Sequence, residues 1–338
     1  MTSGESRKLL DDLDGRLLDA IQSEFPVDAR PFRVLAEQVA STESDILKRV
    51  QRLHRGGFIR EMGAVFDLRR LGYVSTLCAA QVASDAVQGV AALINSLPEV
   101  THNYLREHTF NIWFTVIARS ETDIDRILDR IRAKAGVHQV LSFPQRRMFK
   151  IQVHFATHSK PTPEKEAPVN HHKEAGPPPA FADWEMRLLR VLSDPLPLTE
   201  QPFADIAQRA EIIEELALDR VRAWLADGTI RRFGARVAHQ AVGYPANGMS
   251  VWKASPDQVE SAGRYMAAQP EVSHCYQRDT QPNWDFNLYA MIHGATRAEV
   301  ETVTRRIADH TGITEHAILF SSEELKKTAP RYFSESNP

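Results

Sequence analysis

Hydrophobic residues recur at intervals of three and four across residues 13–53, the spacing of helices that pack one face on a core. The pattern breaks near Pro26 and at residues 40–44, so it predicts three short helices. After Gly56 and Gly57 the spacing changes to alternation through FIREMGAVFD, which predicts that a small hairpin follows the third helix. Three helices and a hairpin are typical of a winged helix-turn-helix.

The pattern that follows mixes short apolar runs with amphipathic segments. VSTLCAAQVA predicts a strand, DAVQGVAALINSL a helix, VTHNYLRE and NIWFTVIA two strands, ETDIDRILDRIRAKA a helix, and QVLSFPQRRMFKIQV a last strand. The order βαββαβ predicts a ferredoxin-like sandwich, with two helices covering one face of four antiparallel strands. The other face of that sheet is left to a partner, and the fold class is α+β.

The whole pattern occurs twice. RLLDAIQSEFPV at 16–27 matches RLLRVLSDPLPL at 187–198, and HNYLR at 102–106 matches HCYQR at 274–278. The copies differ mainly by a four-residue insertion, QPNW, in the second. Two tandem copies of related domains predict a dimer of unlike halves within one chain, with further homodimerisation left open.

Composition divides the chain into five predicted segments. A stretch rich in Pro, Lys and Glu lies between the copies and predicts a flexible tether, in which His171 and His172 have no further metal-binding neighbours. The predicted segments are winged helix-turn-helix A at 1–60, ferredoxin-like domain A at 61–157, linker at 158–182, winged helix-turn-helix B at 183–231 and ferredoxin-like domain B at 232–338.

Charge and cysteine content narrow the classes of function. The net charge is -3, from 41 basic and 44 acidic residues, so an anionic ligand must be bound by a local cluster of cations. Cys78 and Cys275 have neither disulfide nor metal-site spacing. The N-terminus lacks an apolar signal core and no run of residues is long enough to span a bilayer, so we expect a cytoplasmic protein.

Several motifs resemble a known family. A winged helix-turn-helix followed by βαββαβ is similar to the Lrp/AsnC regulators, whose sheets meet in dimers. More specifically, HNYLREHTFNIWFTV in the first copy resembles one subunit of the siroheme (sirohaem) decarboxylases. RRFGARVAHQAVGYPANGMSVWK, HCYQRDTQPNWDFNLYAMIHG and KKTAPRYF in the second copy resemble the other subunit. The resemblance covers nearly the whole chain outside the tether and implies that both subunits are fused.

The resemblance implies a lyase that removes two acetate carboxyl groups from siroheme, an iron tetrapyrrole, with no cofactor of its own. The product would be 12,18-didecarboxysiroheme, for heme d1 or the alternative heme route. Such chemistry needs cations for the retained carboxylates, an apolar wall against the reacting one, and a proton donor. Alternation places His102, Tyr104 and Arg106 on one strand face, as it does the equivalent residues of the second copy.

The candidate residues follow from these needs. The candidate catalytic residues are His102, His108, His274 and Tyr104. The candidate substrate-binding residues are Arg106, Arg278, Tyr276, Trp284, Trp113, Arg231, Arg232, His239, Arg146 and Arg147. No resident metal is expected, although either His102 or His274 could contact the iron of the substrate axially, with His108 then beside an acetate.

Two other functions remain open at this point: a transcription regulator that senses a small ligand or heme, and a heme-binding sensor without catalysis. The predicted recognition helix of the second copy carries acids where phosphates would lie, which opposes DNA binding. These acids are Glu211, Glu214, Glu215 and Asp219. We therefore expect no nucleic acid and no membrane as partners.

Overall fold

The computed structural model describes residues 10–23, 25–151, 179–238, 240–328, 330 and 332–333. The tether histidines His171 and His172 and the candidate His239 lie outside these residues. The first copy contains α1 (Asp12–Ser23), α2 (Pro31–Val39), α3 (Glu43–Arg55), β1 (Ile59–Phe66), β2 (Val74–Val82), α4 (Val87–Ser96), β3 (Val100–Arg106), β4 (Ile112–Ala118), α5 (Glu121–Arg132) and β5 (Val137–Ile151). The second contains α6 (Asp183–Leu192), α7 (Pro202–Arg209), α8 (Glu214–Asp227), β6 (Ile230–Val237), β7 (Ala246–Trp252), α9 (Pro256–Ala268), β8 (Val272–Arg278), β9 (Leu288–Gly294), α10 (Arg297–Thr311) and β10 (His316–Lys327).

The predicted wing hairpin is wrong, because each helical domain supplies a single strand. β1 pairs antiparallel with β6 of the other copy, with Gly63 opposite Gly234. After Phe66 the chain turns directly toward β2, and Asp67 donates its backbone N–H to Thr229 O at 2.9 Å. The alternation in the sequence was that of one strand, and the second strand comes from the duplicate. The β1–β6 ribbon therefore joins the two helical domains.

The two helical domains share one hydrophobic core. Phe25 of the first copy stacks on Phe233 of the second at 6.0 Å, and Phe203 packs beside it. Gln51 donates a hydrogen bond to Leu198 O across the same boundary at 3.0 Å. These contacts fix the helical domains to each other, so they form one body beneath the sheets.

The strands of the two sandwiches form one closed eight-stranded barrel in the order β10-β3-β4-β2-β5-β8-β9-β7. Closure depends on two long strands. β5 has 15 residues and pairs first with β2 and then with β8, while β10 has 12 residues and pairs first with β7 and then with β3. The sheet face that the sequence left to a partner is thus the barrel interior. The four covering helices lie outside, over separate apolar clusters.

Candidate functional site

The repeated motifs lie on β3 and β8 and face the barrel interior. Tyr104 is opposite Trp113, a residue of the interior aromatic cluster, whereas Asn103 points outward and donates to Asn95 of α4. The ring centroids of His102 and Tyr104 lie 6.4 Å apart in a stacked arrangement, and those of His274 and Tyr276 lie 6.1 Å apart. The sharing of one face that strand alternation predicted is therefore present in the fold.

A β-bulge precedes each histidine and turns a hydroxyl onto its ring. The register shifts between Val100 and His102 in β3, and again before His274 in β8. Thr101 Oγ1 lies 2.9 Å from His102 Nδ1, and Ser273 Oγ lies 2.8 Å from His274 Nδ1. Because Nδ1 of each ring is engaged, Nε2 is the nitrogen left to act on a ligand. We call the end of the barrel interior between His102 and His274 the cleft.

Burial makes both imidazoles neutral at physiological pH. Desolvation, helped by the charge of Lys327, lowers the pKa of His102 to about 3. The same two causes lower the pKa of His274 to about 4. A neutral ring can offer a nitrogen lone pair to iron or a hydrogen bond to a substrate, but it carries no stored proton beyond its own N–H.

Two buried guanidiniums lie farther along the same strands. Arg106 donates through Nη1 to Leu319 O, and Arg278 donates through Nη1 to Phe143 O at 2.7 Å. Within the described ranges neither forms an ion pair, and the Nε of each is buried without a partner. Burial lowers the pKa of Arg106 to about 10, and it lowers the pKa of Arg278 as well. Both sites are thus short of negative charge.

The strands opposite the two motifs differ in chemistry. On β10, Lys327 lies opposite His102 and Glu324 lies opposite Tyr104. On β5, Ile151 and Met148 take the corresponding places. The residues directly opposite the motif are therefore charged on β10 and apolar on β5, where Arg231 Nη1 of β6 reaches Met148 Sδ at 3.6 Å.

Lys327 is a functional candidate that sequence reasoning missed. Its Nζ lies 3.7 Å from Glu324 Oε2, which also accepts from Arg60. Burial, with the charge of Arg60 next, lowers the pKa of Lys327 to about 8. Its neighbour Lys326 points outward and donates to Asn95 O and Leu97 O. The sequence shows two adjacent lysines in KKTAPRYF, but only the strand pairing shows that Lys327, and not Lys326, faces the cleft.

His108 and Trp284 lie together at the other end of β3. His108 Nδ1 accepts from Phe110 N at 3.0 Å, and its ring packs edge-on to Trp284 at 5.3 Å. Trp284 is 3% exposed and donates through Nε1 to Tyr289 Oη. From His102 to Arg106 an extended strand covers about 13 Å, so His108 is separated from the histidine pair.

Trp113 and Trp284 belong to an aromatic cluster that fills the barrel between these ends. Their rings approach to 5.3 Å, and Trp113 also stacks on Phe143. Trp284, a candidate for ligand contact from its place in the polar insertion, is buried by the fold. Burial raises the pKa of Tyr104 to about 12, and burial also raises the pKa of Tyr276. Both phenols are therefore protonated and able to donate.

The remaining candidate arginines already have partners. Arg231 pairs with Asp67 at 2.8 Å, and Arg232 donates to Gln22 O at 2.7 Å. Arg146 and Arg147 form ion pairs with Asp279 and Glu260, respectively. A ligand carboxylate would have to displace the carboxylate partners of Arg231, Arg146 and Arg147, which makes these three weaker candidates than Arg106 and Arg278. Arg232, like Arg106 and Arg278, donates to main-chain carbonyls.

Several arginines of the predicted recognition helices are paired with acids of the protein, while Lys48 and Arg55 of α3 are exposed. On α3, Arg49 pairs with Asp11, Asp14 and Asp45 and Arg52 also pairs with Asp14. On α8, Arg220 pairs with Glu185, a residue of its own domain. The acids named from the sequence lie at the start of α8 or just before it, with Glu211, Glu215 and Asp219 exposed.

The described residues were also expected to contain neither a membrane span nor a resident metal site. None of the helices in the described part of the chain is both long and apolar enough to span a bilayer. In the same ranges, no three His, Cys, Asp or Glu side chains are grouped as a metal site.

Comparisons with known proteins relate the fold to a family. A model of the siroheme decarboxylase NirDL-like helix-turn-helix domain matches residues 14–60 and 185–231. A model of the AsnC-like ligand-binding domain matches residues 70–150 and 241–326. The α+β class and the tandem Lrp/AsnC-like architecture predicted from the sequence are thus confirmed.

Relatives match both the whole chain and its halves. The siroheme decarboxylase of Hydrogenobacter thermophilus is 35% identical over 321 residues, covering 95% of each chain. The siroheme decarboxylase alpha subunit of Desulfovibrio desulfuricans is 44% identical over 146 residues, covering 43% of this chain and 84% of that one. The crystal structure of siroheme decarboxylase NirDL with an iron-uroporphyrin III analogue is 32% identical, with a TM-score of 0.70 and coverage of 96% and 95%. The chain belongs to the siroheme decarboxylase family, in the form that carries both halves in one polypeptide.

Proposed function

We propose that this chain decarboxylates siroheme at the His102–His274 end of the barrel, removing two acetate carboxyl groups as carbon dioxide. The observation that carries the proposal is the pair of buried guanidiniums of Arg106 and Arg278, which form no ion pair with any described residue and each follow a histidine and a tyrosine on the same strand face. A flat ligand with many carboxylates would supply the negative charge that these groups lack. The NirDL structure with an iron-uroporphyrin III analogue supports a tetrapyrrole as ligand.

Binding would rest on cations from both copies. Arg106 and Arg278 each retain guanidinium N–H donors for a carboxylate after their bond to a main-chain carbonyl. Lys327 adds a partly buried ammonium beside His102. Buried charge-assisted hydrogen bonds of this kind contribute about 1.5–3 kcal/mol each, enough to hold the retained carboxylates in register.

The reacting carboxylate needs a different environment. An ionised carboxylate loses carbon dioxide more readily when few hydrogen bonds stabilise its charge, because that charge leaves the carboxylate as the bond breaks. Met148 and Ile151, opposite the second motif, provide an apolar surface on the β5 side. We assign the reacting acetate to this side and the retained carboxylates to the β10 side.

The proton for the new methyl group would come from an imidazole. Both His102 and His274 are neutral and offer Nε2 to the cleft, so one can meet the substrate iron while the other donates a proton. We assign His108 to holding the β3–β4 loop against Trp284, since its Nδ1 bonds to the main chain. The reaction is that of a carboxy-lyase without a resident cofactor, with one competent site per chain.

The product would be 12,18-didecarboxysiroheme. The fused arrangement favours heme d1 assembly over the alternative heme route as the use of that product. A cytoplasmic location belongs to the same proposal. So does the absence of nucleic-acid partners, which is supported by the pairing of Arg49 and Arg52 of α3 with acids of the protein itself.

The test is anaerobic incubation of the purified chain with siroheme, followed by the mass of the tetrapyrrole. Loss of two carbon dioxide molecules is expected. Binding without any loss would make the protein a heme sensor. Tight, salt-sensitive binding to promoter DNA, with no change in the tetrapyrrole, would instead favour a regulator.

A further inference from the structure

The second copy contains a chain of three hydrogen-bonded side chains that ends in the cleft. Ser273 Oγ lies 2.8 Å from His274 Nδ1 and 2.8 Å from His293 Nε2. Ser273 is 6% and His293 8% exposed, so the bonds are shielded from competing water. The alternative acceptor of the serine proton, Met291 O, is farther away at 3.5 Å. The hydroxyl therefore bridges the two rings.

The first copy has the start of this chain but not its continuation. Thr101 Oγ1 contacts His102 Nδ1 at 2.9 Å, as Ser273 contacts His274. In the alignment of FNIWFTV with FNLYAMI, the residue that corresponds to His293 is one position beyond Val116, namely Ile117. Ile117 is apolar and packs in the core of the helical domains. Only the second motif thus has a second titratable group behind its histidine.

Such a chain addresses a difficulty in the proposed reaction. A neutral imidazole that gives away its Nε2 proton becomes a high-energy anion unless Nδ1 gains a proton in the same event. A hydroxyl that donates to Nδ1, itself backed by a second imidazole, supplies that proton. His102 lacks this support and is better suited to an interaction in which its proton does not move.

We infer that Ser273 and His293 are positioning residues that relay a proton to His274, making the second copy the proton-donating half of the site. The inference rests on the proposed function. It also divides the roles of the two histidines, leaving His102 for the iron side of the substrate.

The proposed step balances. The bond between the acetate methylene and its carboxylate breaks, carbon dioxide leaves, and the electron pair on the methylene carbon takes the proton of His274 Nε2. His274 Nδ1 takes the proton of Ser273 Oγ, and Oγ takes the proton of His293 Nε2, so the step requires that His293 is doubly protonated when it begins. After product release, Nε2 of His274 takes a proton from the water that replaces the product, and the chain shifts back so that His293 is doubly protonated again.

The charges around the chain come from several elements. Lys327 on β10, Lys150 on β5 and Arg278 on β8 all act on His274 and oppose a cation there. At the other end, the backbone N–H of His293 donates to Glu271 O, and the Glu271 side chain pairs with Arg306 of α10. A positive charge on His274 is opposed by those three cations.

The experiment is a single-turnover decarboxylation of bound siroheme in mixtures of H₂O and D₂O. In the unchanged chain, the rate should fall along a curve as the deuterium fraction rises, because more than one proton moves in the step. Ser273→Ala should be slower by about 10- to 100-fold and should give a straight line, since the relay is cut. Siroheme binding, followed by absorbance, should be unchanged in this variant.

Three further variants make the result decisive. Ser273→Thr keeps the hydroxyl found in the first copy and should retain the curved dependence. His293→Gln keeps a donor to Ser273 but cannot pass a proton on, so it should be as slow as Ser273→Ala. The matched control, Ser142→Ala on β5, removes a hydroxyl that bonds to Thr76 rather than to a histidine, and it should remain within about threefold of the unchanged chain.

A straight dependence in the unchanged chain, or a normal rate for His293→Gln, would overturn the relay. Equal damage from Ser273→Thr and Ser273→Ala would show that packing, not the hydroxyl, is responsible, and would overturn it too. By contrast, an unchanged chain that binds siroheme and releases no carbon dioxide would refute the proposed function itself.

Discussion

The two halves of the barrel carry the same inner motif against unlike neighbours. On the β3 side, His102 and Tyr104 face Lys327 and Glu324 of β10. On the β8 side, His274 and Tyr276 face Ile151 and Met148 of β5. The duplication preserved the histidine, tyrosine and arginine of the motif, and divergence of the opposite strands gave each imidazole a different electrostatic environment.

The comparison teaches that a pseudo-twofold site need not have two equal roles. A polar half can hold carboxylates that must stay, while an apolar half weakens the hydration of the one that must leave. The hydroxyl behind each histidine follows the same division, since it continues to a second imidazole only in the β8 half.

The largest effect is expected from removing the histidines one at a time. His274→Ala should reduce single-turnover decarboxylation by about 10²–10⁴-fold, because it removes the proton donor. His102→Ala should instead change the absorbance spectrum of bound siroheme, because it removes a possible axial group. Rates and spectra of both variants, with His108→Ala as the control from the other end of β3, measure this. Equal spectral changes in the first two would erase the proposed difference between the halves.

The next effect concerns the guanidiniums. Arg106→Met and Arg278→Met should each weaken siroheme binding by about 1.5–3 kcal/mol, because each loses a buried charge-assisted bond to a carboxylate. Spectroscopic titration gives the dissociation constants. Arg146→Met is the control, since Arg146 is exposed and paired with Asp279. Unchanged affinity in Arg106→Met and Arg278→Met would exclude them from the site.

A smaller effect is expected from Lys327. Lys327→Met should weaken binding by about tenfold, as expected for one partly screened charge, while Lys326→Met should not, because that ammonium binds main-chain carbonyls of the outer layer. The double variant Lys327→Ile with Ile151→Lys would exchange the polar and apolar halves. If the exchanged chain decarboxylates normally, the asymmetry of the opposite strands has no role.

The smallest effect is a pH dependence. Because the pKa of Lys327 is about 8, its ammonium is charged below that pH and is lost above it, whereas the ligand carboxylates stay ionised throughout. Siroheme affinity should therefore be flat near pH 7 and fall as pH rises through 8. The fall should be absent in Lys327→Met. Titrations across this range check both statements, and a fall that persists in Lys327→Met must come from another group.

Much of the architecture could be predicted from the sequence, because local periodicity decides local structure. Alternation correctly placed His102 and Tyr104 on one face, and the repeat correctly indicated a dimer within one chain. The wing was predicted as a hairpin because a single alternating run does not identify its partner strand. The partner of β1 is β6, more than 160 residues away, and only the three-dimensional fold brings them together.

The candidate site shows the same limit. Lys327 and Ile151 lie opposite the two histidines because strands of the two copies pair with each other, and no local sequence pattern predicts that pairing. Trp284 was a candidate for ligand contact from its polar insertion, and the sequence did not show that its hydrogen bond to Tyr289 would place it inside the aromatic cluster. Arg231 and Arg147 looked available in the sequence, and their acidic partners lie far along the chain.

The crossing of β5 and β10 between the two sheets has an evolutionary consequence. If the first copy assembled with itself, Ile151 would stand opposite both histidines, and if the second did so, Lys327 would stand opposite both. Only the mixed assembly yields one of each. Joining the halves in a single polypeptide ensures that each molecule contains one copy of each half, so that no protein is lost to symmetrical dimers of like halves.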